Sequence, residues 1–256
     1  MYQAINADGF INNYVDAFAN AYFPNESNAP RFTGISIKNE VSRKFEDETI
    51  VNYYLKEGKI DKNVVAWKAG RLLLESGKYV PQMNKKGDCL NGYGIPIKED
   101  KLNNYLVFVS EKYKRITDKS NFMYVYQSLI SQKNVPRNFG SVYIINLIYF
   151  LSKGRYPIYD KFAHKALKAL YMGKNPCEIF VGDAPGKYET NKVVNMYQEY
   201  LWFLDKVFQG EKRTIGLTEN ESKESFLSRK IDRALWVYGH ATKKIPEEEL
   251  KEYSRR

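Results

Sequence analysis

Val135-Pro136-Arg137-Asn138-Phe139-Gly140-Ser141, the apolar run Val142 to Leu151, and Arg155-Tyr156-Pro157-Ile158-Tyr159-Asp160 follow one another without interruption. A turn-forming segment thus leads into a strongly apolar stretch, and a Pro-containing segment ends on an aspartate. That aspartate opens Lys161-Phe162-Ala163-His164-Lys165-Ala166-Leu167-Lys168-Ala169-Leu170-Tyr171, a helix pattern closed by Gly173 and followed by Pro176. Asp160 is placed to cap it. The run Val142 to Leu151 is interrupted by Asn146 and is about half the ~20 residues a bilayer needs, so it reads as a buried helix.

Charge is uneven across this region. From Lys119 to Cys177 there are nine basic residues and one acid, Asp160. A carboxylate at a helix N-terminus among cations stays ionised and is held in one rotamer. Cleaving an N-glycosidic bond through an oxocarbenium-like sugar beside a DNA backbone needs this combination: cations for phosphate and one fixed anion for the sugar. The plain alternative is that Asp160 is only a cap.

These segments resemble the helix-hairpin-helix DNA glycosylase superfamily, in its 8-oxoguanine DNA glycosylase-like branch. The resemblance covers about forty residues. It implies that the hairpin grips the DNA backbone, a buried helix follows, and Tyr156-Pro157-Ile158-Tyr159-Asp160 delivers the catalytic aspartate. Arg137 and Phe139 stand at the usual glycine places and Gly140 remains. Asn138 is expected to adopt positive φ in place of a glycine. Ser141 falls where bifunctional members carry a Schiff-base lysine, so the resemblance implies a monofunctional enzyme. The expected DNA contacts are the amides of Asn138 to Ser141 and the side chains of Lys133, Arg137 and Lys161. Trp67-Lys68-Ala69-Gly70-Arg71 and the segment Arg229 to His240 are similar to bacterial proteins of this fold, some of which act against phage with modified DNA.

Outward from this core, apolar residues recur at helical spacing in Phe10 to Tyr22, Val64 to Leu73, Tyr105 to Val109, Tyr124 to Ile130, Val193 to Phe208 and Ile231 to Val237. Strand signals are few, the best being Gly92 to Ile97 and Ile179 to Val181. The expectation is a mainly α protein with two helical lobes and little β structure. The seam is placed in the loop Asn84 to Gly94, giving residues 1–90 as an N-terminal lobe and 91–256 as the lobe with the hairpin and Asp160.

With 40 Lys and Arg against 30 Asp and Glu, the chain of 256 residues carries a formal charge of +10, which favours polyanionic partners, nucleic acid first and an anionic membrane second; the resemblance implies that the nucleic acid is double-stranded DNA. Cys89 and Cys177 form no metal-ligand spacing, no Gly-rich phosphate loop is present, and no cofactor is expected. The opening residues Met1 to Asp8 lack a basic start and an apolar core, so a cytoplasmic protein is expected, with no membrane partner; it is separately expected to be a monomer.

Trp67 and Trp236, flanked by Lys68, Arg71 and Arg233, are the candidates for stacking on a flipped base, and Trp202 is assigned to packing. His164 reads as a surface histidine among lysines, or as a group sharing a helix face with Asp160. His240 reads as a helix-end residue. Asp183, Glu189 and Lys192 would suit a metal nuclease only with irregular spacing, and Gly182 to Gly186 is a turn. The competing functions are a non-catalytic helix-hairpin-helix DNA-binding module and, further off, that nuclease.

Overall fold

The computed structural model describes residues 9–10, 14, 40–115, 121–131, 135–208, 221–241 and 244–248. Helix α1 (Glu40–Phe45) runs on as a π-helix (Glu46–Leu55) and is followed by α2 (Lys62–Lys68). Four short strands come next: β1 (Leu72–Glu75), β2 (Lys78–Pro81), β3 (Cys89–Leu90) and β4 (Pro96–Ile97). The rest is helical, with α3 (Glu99–Tyr113), α4 (Phe122–Ile130), α5 (Ser141–Leu151), α6 (Lys161–Met172), a 3-10 turn (Pro176–Glu178), α7 (Thr190–Val207) and α8 (Glu221–Gly239). The chain is mainly α, as expected, and none of the described helices is long and apolar enough to cross a membrane.

Two compact units interleave in sequence. A hairpin unit comprises Lys38–Ile158 and Ala184–Asn195, and an aspartate unit comprises Met1–Ile37, Tyr159–Asp183 and Met196–Arg256. This division replaces the expected lobes 1–90 and 91–256. The loop proposed as their seam is tied into the hairpin unit instead: the Asn91 side chain donates to the carbonyl of Asn138 (3.3 Å), and Gly92 N–H donates to the Tyr143 hydroxyl (2.8 Å).

In the hairpin unit, α2 begins at Asp61, whose carboxylate accepts from the N–H groups of Asn63 and Val64. Leu72 and Leu73, expected to continue a helix, lie in β1, which pairs antiparallel with β2. Ser76 and Gly77 both have positive φ (48° and 75°), the two-residue turn that matches strand twist. Of the expected strand Gly92 to Ile97, only Pro96–Ile97 is extended and paired, and Ile179 to Val181 forms no strand. The expected buried helix is α5: Ile144, Ile145, Leu147, Ile148 and Phe150 are fully buried, each stabilising the fold by roughly 1.5–3 kcal/mol.

The aspartate unit is built on α6 packed against α8. The buried face of α6 is small, with Ala163, Ala166 and Ala169 beside Leu167, which lets α8 approach closely. Gly239 completes the approach, because a Cβ there would fall 1.9 Å from the carbonyl oxygen of Phe162. Phe10 and Tyr14 meet Tyr238 edge-on at 5.5 and 5.1 Å. Gly173 ends α6 in the left-handed conformation that a Cβ disfavours (φ 61°).

Candidate functional site

Helices α4 and α5 flank the hairpin. Its turn closes through Phe139 N–H donating to the Pro136 carbonyl (3.2 Å), and Gly140 is the N-cap of α5. Phe139 anchors the turn: it is buried edge-on to Tyr105 at 5.6 Å and lies against Tyr143 at 5.0 Å. With no capping side chain at Gly140, the leading N–H groups of α5 keep the anion-facing character of a helix start.

The expected positive φ at Asn138 is not found. Among the described residues, Ser76 and Lys153 alone combine positive φ with a side chain. Asn138 works through its amide, which donates to the Pro96 carbonyl (2.7 Å) and braces the turn, so no glycine-like backbone is needed. Ser141 is buried and its hydroxyl donates to the Pro185 carbonyl (2.7 Å), which leaves only its main chain for a phosphate. Arg137 is exposed, and among the described residues no carboxylate pairs with it. Lys133 lies outside the described residues.

Lys187 was not singled out from sequence. Its ammonium donates to the carbonyls of Pro136 (2.5 Å) and Arg137 (3.1 Å), and the Tyr126 hydroxyl fixes the same residue by donating to its carbonyl (2.9 Å). Burial pushes the Lys187 ammonium below the usual lysine range. The Pro185-Gly186-Lys187 turn was the only trace of this in the sequence, since the contacts span about fifty positions.

In the aspartate unit, Asp160 is the N-cap of α6 in extended backbone (φ −136°, ψ 137°). Its carboxylate accepts from Phe162 N–H at 2.8 Å. The helix dipole and this hydrogen bond both favour the ionised form. Beside it, the rings of Phe162 and His240 stack with centroids 3.4 Å apart, and Trp236 lies 4.1 Å from His240 on the same helix. His240 Nδ1 donates to the Trp236 carbonyl (2.7 Å), so the neutral ring carries its proton there and Nε2 is the acceptor. Burial lowers the His240 pKa, opposed by that carbonyl and by the Asp160 charge. Lys161 pairs with Asp183 at 2.8 Å and holds the Asp183 carboxyl below its ordinary range, so any phosphate competes with Asp183 for this cation.

No family model, curated protein or solved structure matches this chain.

Three side chains depart from expectation. Trp67 is buried in the hairpin unit, edge-on to Phe150 at 6.0 Å, because its α2 face packs on α5; it is a core residue with no face for a base. Trp202, assigned to packing, is 45% exposed and lies edge-on to Tyr171 at 5.1 Å. His164 is buried, because its position one turn from Asp160 falls on the Ala163–Leu167 face. Its Nδ1 meets the Tyr159 hydroxyl at 3.3 Å, Nε2 is 3.7 Å from Glu199, and burial lowers its pKa to about 4.

Asp183 is committed to Lys161, and Glu189 to Lys192 and to Gly186 N–H. Among the described residues no three His, Cys, Asp or Glu side chains gather to hold a metal. Cys89 is buried with its thiol pushed up by burial, and Cys177 is exposed.

Proposed function

We propose that this chain is a monofunctional DNA glycosylase acting on double-stranded DNA. The hairpin Pro136 to Ser141, with Arg137 and the N-terminus of α5, holds the phosphate backbone, and a damaged or modified base is turned out of the duplex for excision. Asp160 faces the sugar. The bond from C1′ to the base nitrogen breaks with its electron pair leaving on the base, which is protonated. Asp160 stabilises the oxocarbenium-like sugar, water oxygen bonds to C1′, and the water proton passes to solvent or to the carboxylate. The product is an abasic site in an intact strand.

The observation that carries this reading is Asp160 itself: one carboxylate, fixed by a helix start, with the Phe162, His240 and Trp236 rings beside it in the same unit. Trp236 remains a candidate for stacking on the flipped base. A charge of +10 and the uncapped start of α5 support the DNA partner. No cofactor is required, and the reading is of a cytoplasmic monomer that meets cellular damage or modified phage DNA.

The test is a panel of duplexes, each with one oxidised, alkylated or hypermodified base, scored for alkali-labile abasic sites. Release from at least one substrate is expected. Salt-dependent duplex binding with no release from any substrate would instead assign the chain as a non-catalytic helix-hairpin-helix module.

A further inference from the structure

The segment Pro185 to Lys187 holds the hairpin at several points. The Pro185 carbonyl accepts from the Ser141 hydroxyl (2.7 Å), and the Lys187 carbonyl accepts from the Tyr126 hydroxyl (2.9 Å). The Lys187 ammonium in turn donates to the carbonyls of Pro136 (2.5 Å) and Arg137 (3.1 Å). This side chain is therefore fixed at both its root and its tip. The Tyr188 ring, 62% exposed, has its centroid 5.3 Å from the same ammonium.

Bracing two carbonyls does not require a charge, since a neutral amide donor would satisfy them as well. Carbonyl dipoles orient an ammonium but bring no net negative charge to it. Glu189, the acid closest to Lys187 in sequence, is engaged with Lys192 (2.6 Å) and with Gly186 N–H (3.1 Å). Among the described residues no carboxylate pairs with Lys187. The residue is half-buried, and burial pushes its ammonium below the usual lysine range. The hairpin unit thus keeps a partly dehydrated positive charge with no counter-charge of its own, a state that gains from any anion able to reach it. An ammonium has three N–H donors, and the two carbonyls leave one over. Its position on the turn that carries the exposed Arg137 decides which anion that is, a phosphodiester of the strand lying along the hairpin.

We propose that Lys187 is a phosphate-binding residue, its ammonium bridging the Pro136 and Arg137 carbonyls to a non-bridging oxygen of the DNA backbone. This rests on the DNA-binding reading above but not on the catalytic role of Asp160. Because the side chain is already held in place, the contact forms with little loss of rotamer freedom.

The experiment uses the full chain and an end-labelled undamaged duplex, with affinity followed by anisotropy from about 50 to 200 mM salt. Lys187→Gln retains an amide donor for the hairpin carbonyls and removes the charge. It should weaken binding about tenfold and reduce the slope of log affinity against log salt by about one ion. Lys187→Met, which keeps the aliphatic stem, is the second neutral variant and should show the same slope. Lys187→Arg should hold the wild-type slope. Combining Lys187→Gln with Arg137→Ala should reduce the slope by about two ions, because the two cations meet separate phosphates. Neutral variants that keep the wild-type slope, or a double variant no shallower than Arg137→Ala alone, would show that Lys187 only braces the hairpin, with DNA binding left intact. Failure of wild type to bind any duplex at low salt overturns the DNA reading itself.

Discussion

Phe162 and His240 stack with their rings 3.4 Å apart and 26° from parallel, and the stack exists because Gly239 lets the backbone of α8 meet the Phe162 carbonyl. Phe162, the second residue of α6, is thereby fixed by the end of α8. Gly239→Ala should therefore cost about 3 kcal/mol or more, since the clash is with main chain and cannot be relieved by a rotamer change. Gly140→Ala is the contrast, because its added Cβ meets nothing within 4 Å. Urea unfolding of both variants checks this; equal stability would refute the close approach.

Asp160→Asn should keep the hydrogen bond to Phe162 N–H, and with it the fold, because Asn caps about as well as Asp. The negative charge is lost. Base release should fall by at least about a hundredfold with duplex affinity retained. Unchanged release would remove Asp160 from the chemistry.

Arg137→Ala should weaken duplex binding and reduce the slope of log affinity against log salt by about one ion, since the exposed guanidinium neutralises one phosphate. Lys161→Ala should change the slope less, because Asp183 already offsets that cation. Titrations from 50 to 200 mM salt, roughly the range over which such contacts are lost, distinguish the two.

Borohydride should trap no covalent adduct between protein and DNA, because Ser141 stands at the expected lysine place and its hydroxyl is engaged with Pro185. Among the described residues, Lys187 meets the hairpin, and its ammonium is committed to two carbonyls. Trapping that disappears in Lys187→Ala would show that this amine leaves its carbonyls and attacks the sugar.

His164 makes stability depend on pH. Above about 6.5 both folded and unfolded chains hold a neutral imidazole and the group contributes nothing. As pH falls, the unfolded chain takes up the proton first, while burial delays protonation in the folded state to about 4. Stability should therefore drop over that interval, by on the order of 2–3 kcal/mol, and level off below it. Glu199, 3.7 Å from Nε2, works against the drop, and Lys168, paired with Glu199 at 2.7 Å, works with it. Urea unfolding of wild type and His164→Leu at pH 7.5 and 5 should differ in slope; parallel curves would count against a buried neutral His164.

What the sequence revealed is what neighbours in sequence decide. The helix Val142 to Leu151 was legible because it is buried on all sides, and the start of α6 because capping is a two-residue relationship. β1 and β2 were missed because Leu72-Leu73-Leu74 does not alternate, although Ser76-Gly77 marks their turn. His164 was misplaced because the lysines around it hid its register with Ala163 and Leu167. The unit boundary and Lys187 depend on contacts 47 to 51 positions apart, such as Asn91 to Asn138 and Lys187 to Pro136, which no local pattern encodes.

The interleaving of the two units governs how the chain can be cut and how it can be made. A fragment ending at residue 158 looks like a clean hairpin unit, yet it lacks Ala184–Asn195 and so loses the ammonium on Pro136 and Arg137 and the acceptors of Ser141 and Tyr126. During synthesis the hairpin leaves the ribosome about fifty residues before the lysine that locks it. Its final form must wait for a stretch of the other unit to be translated.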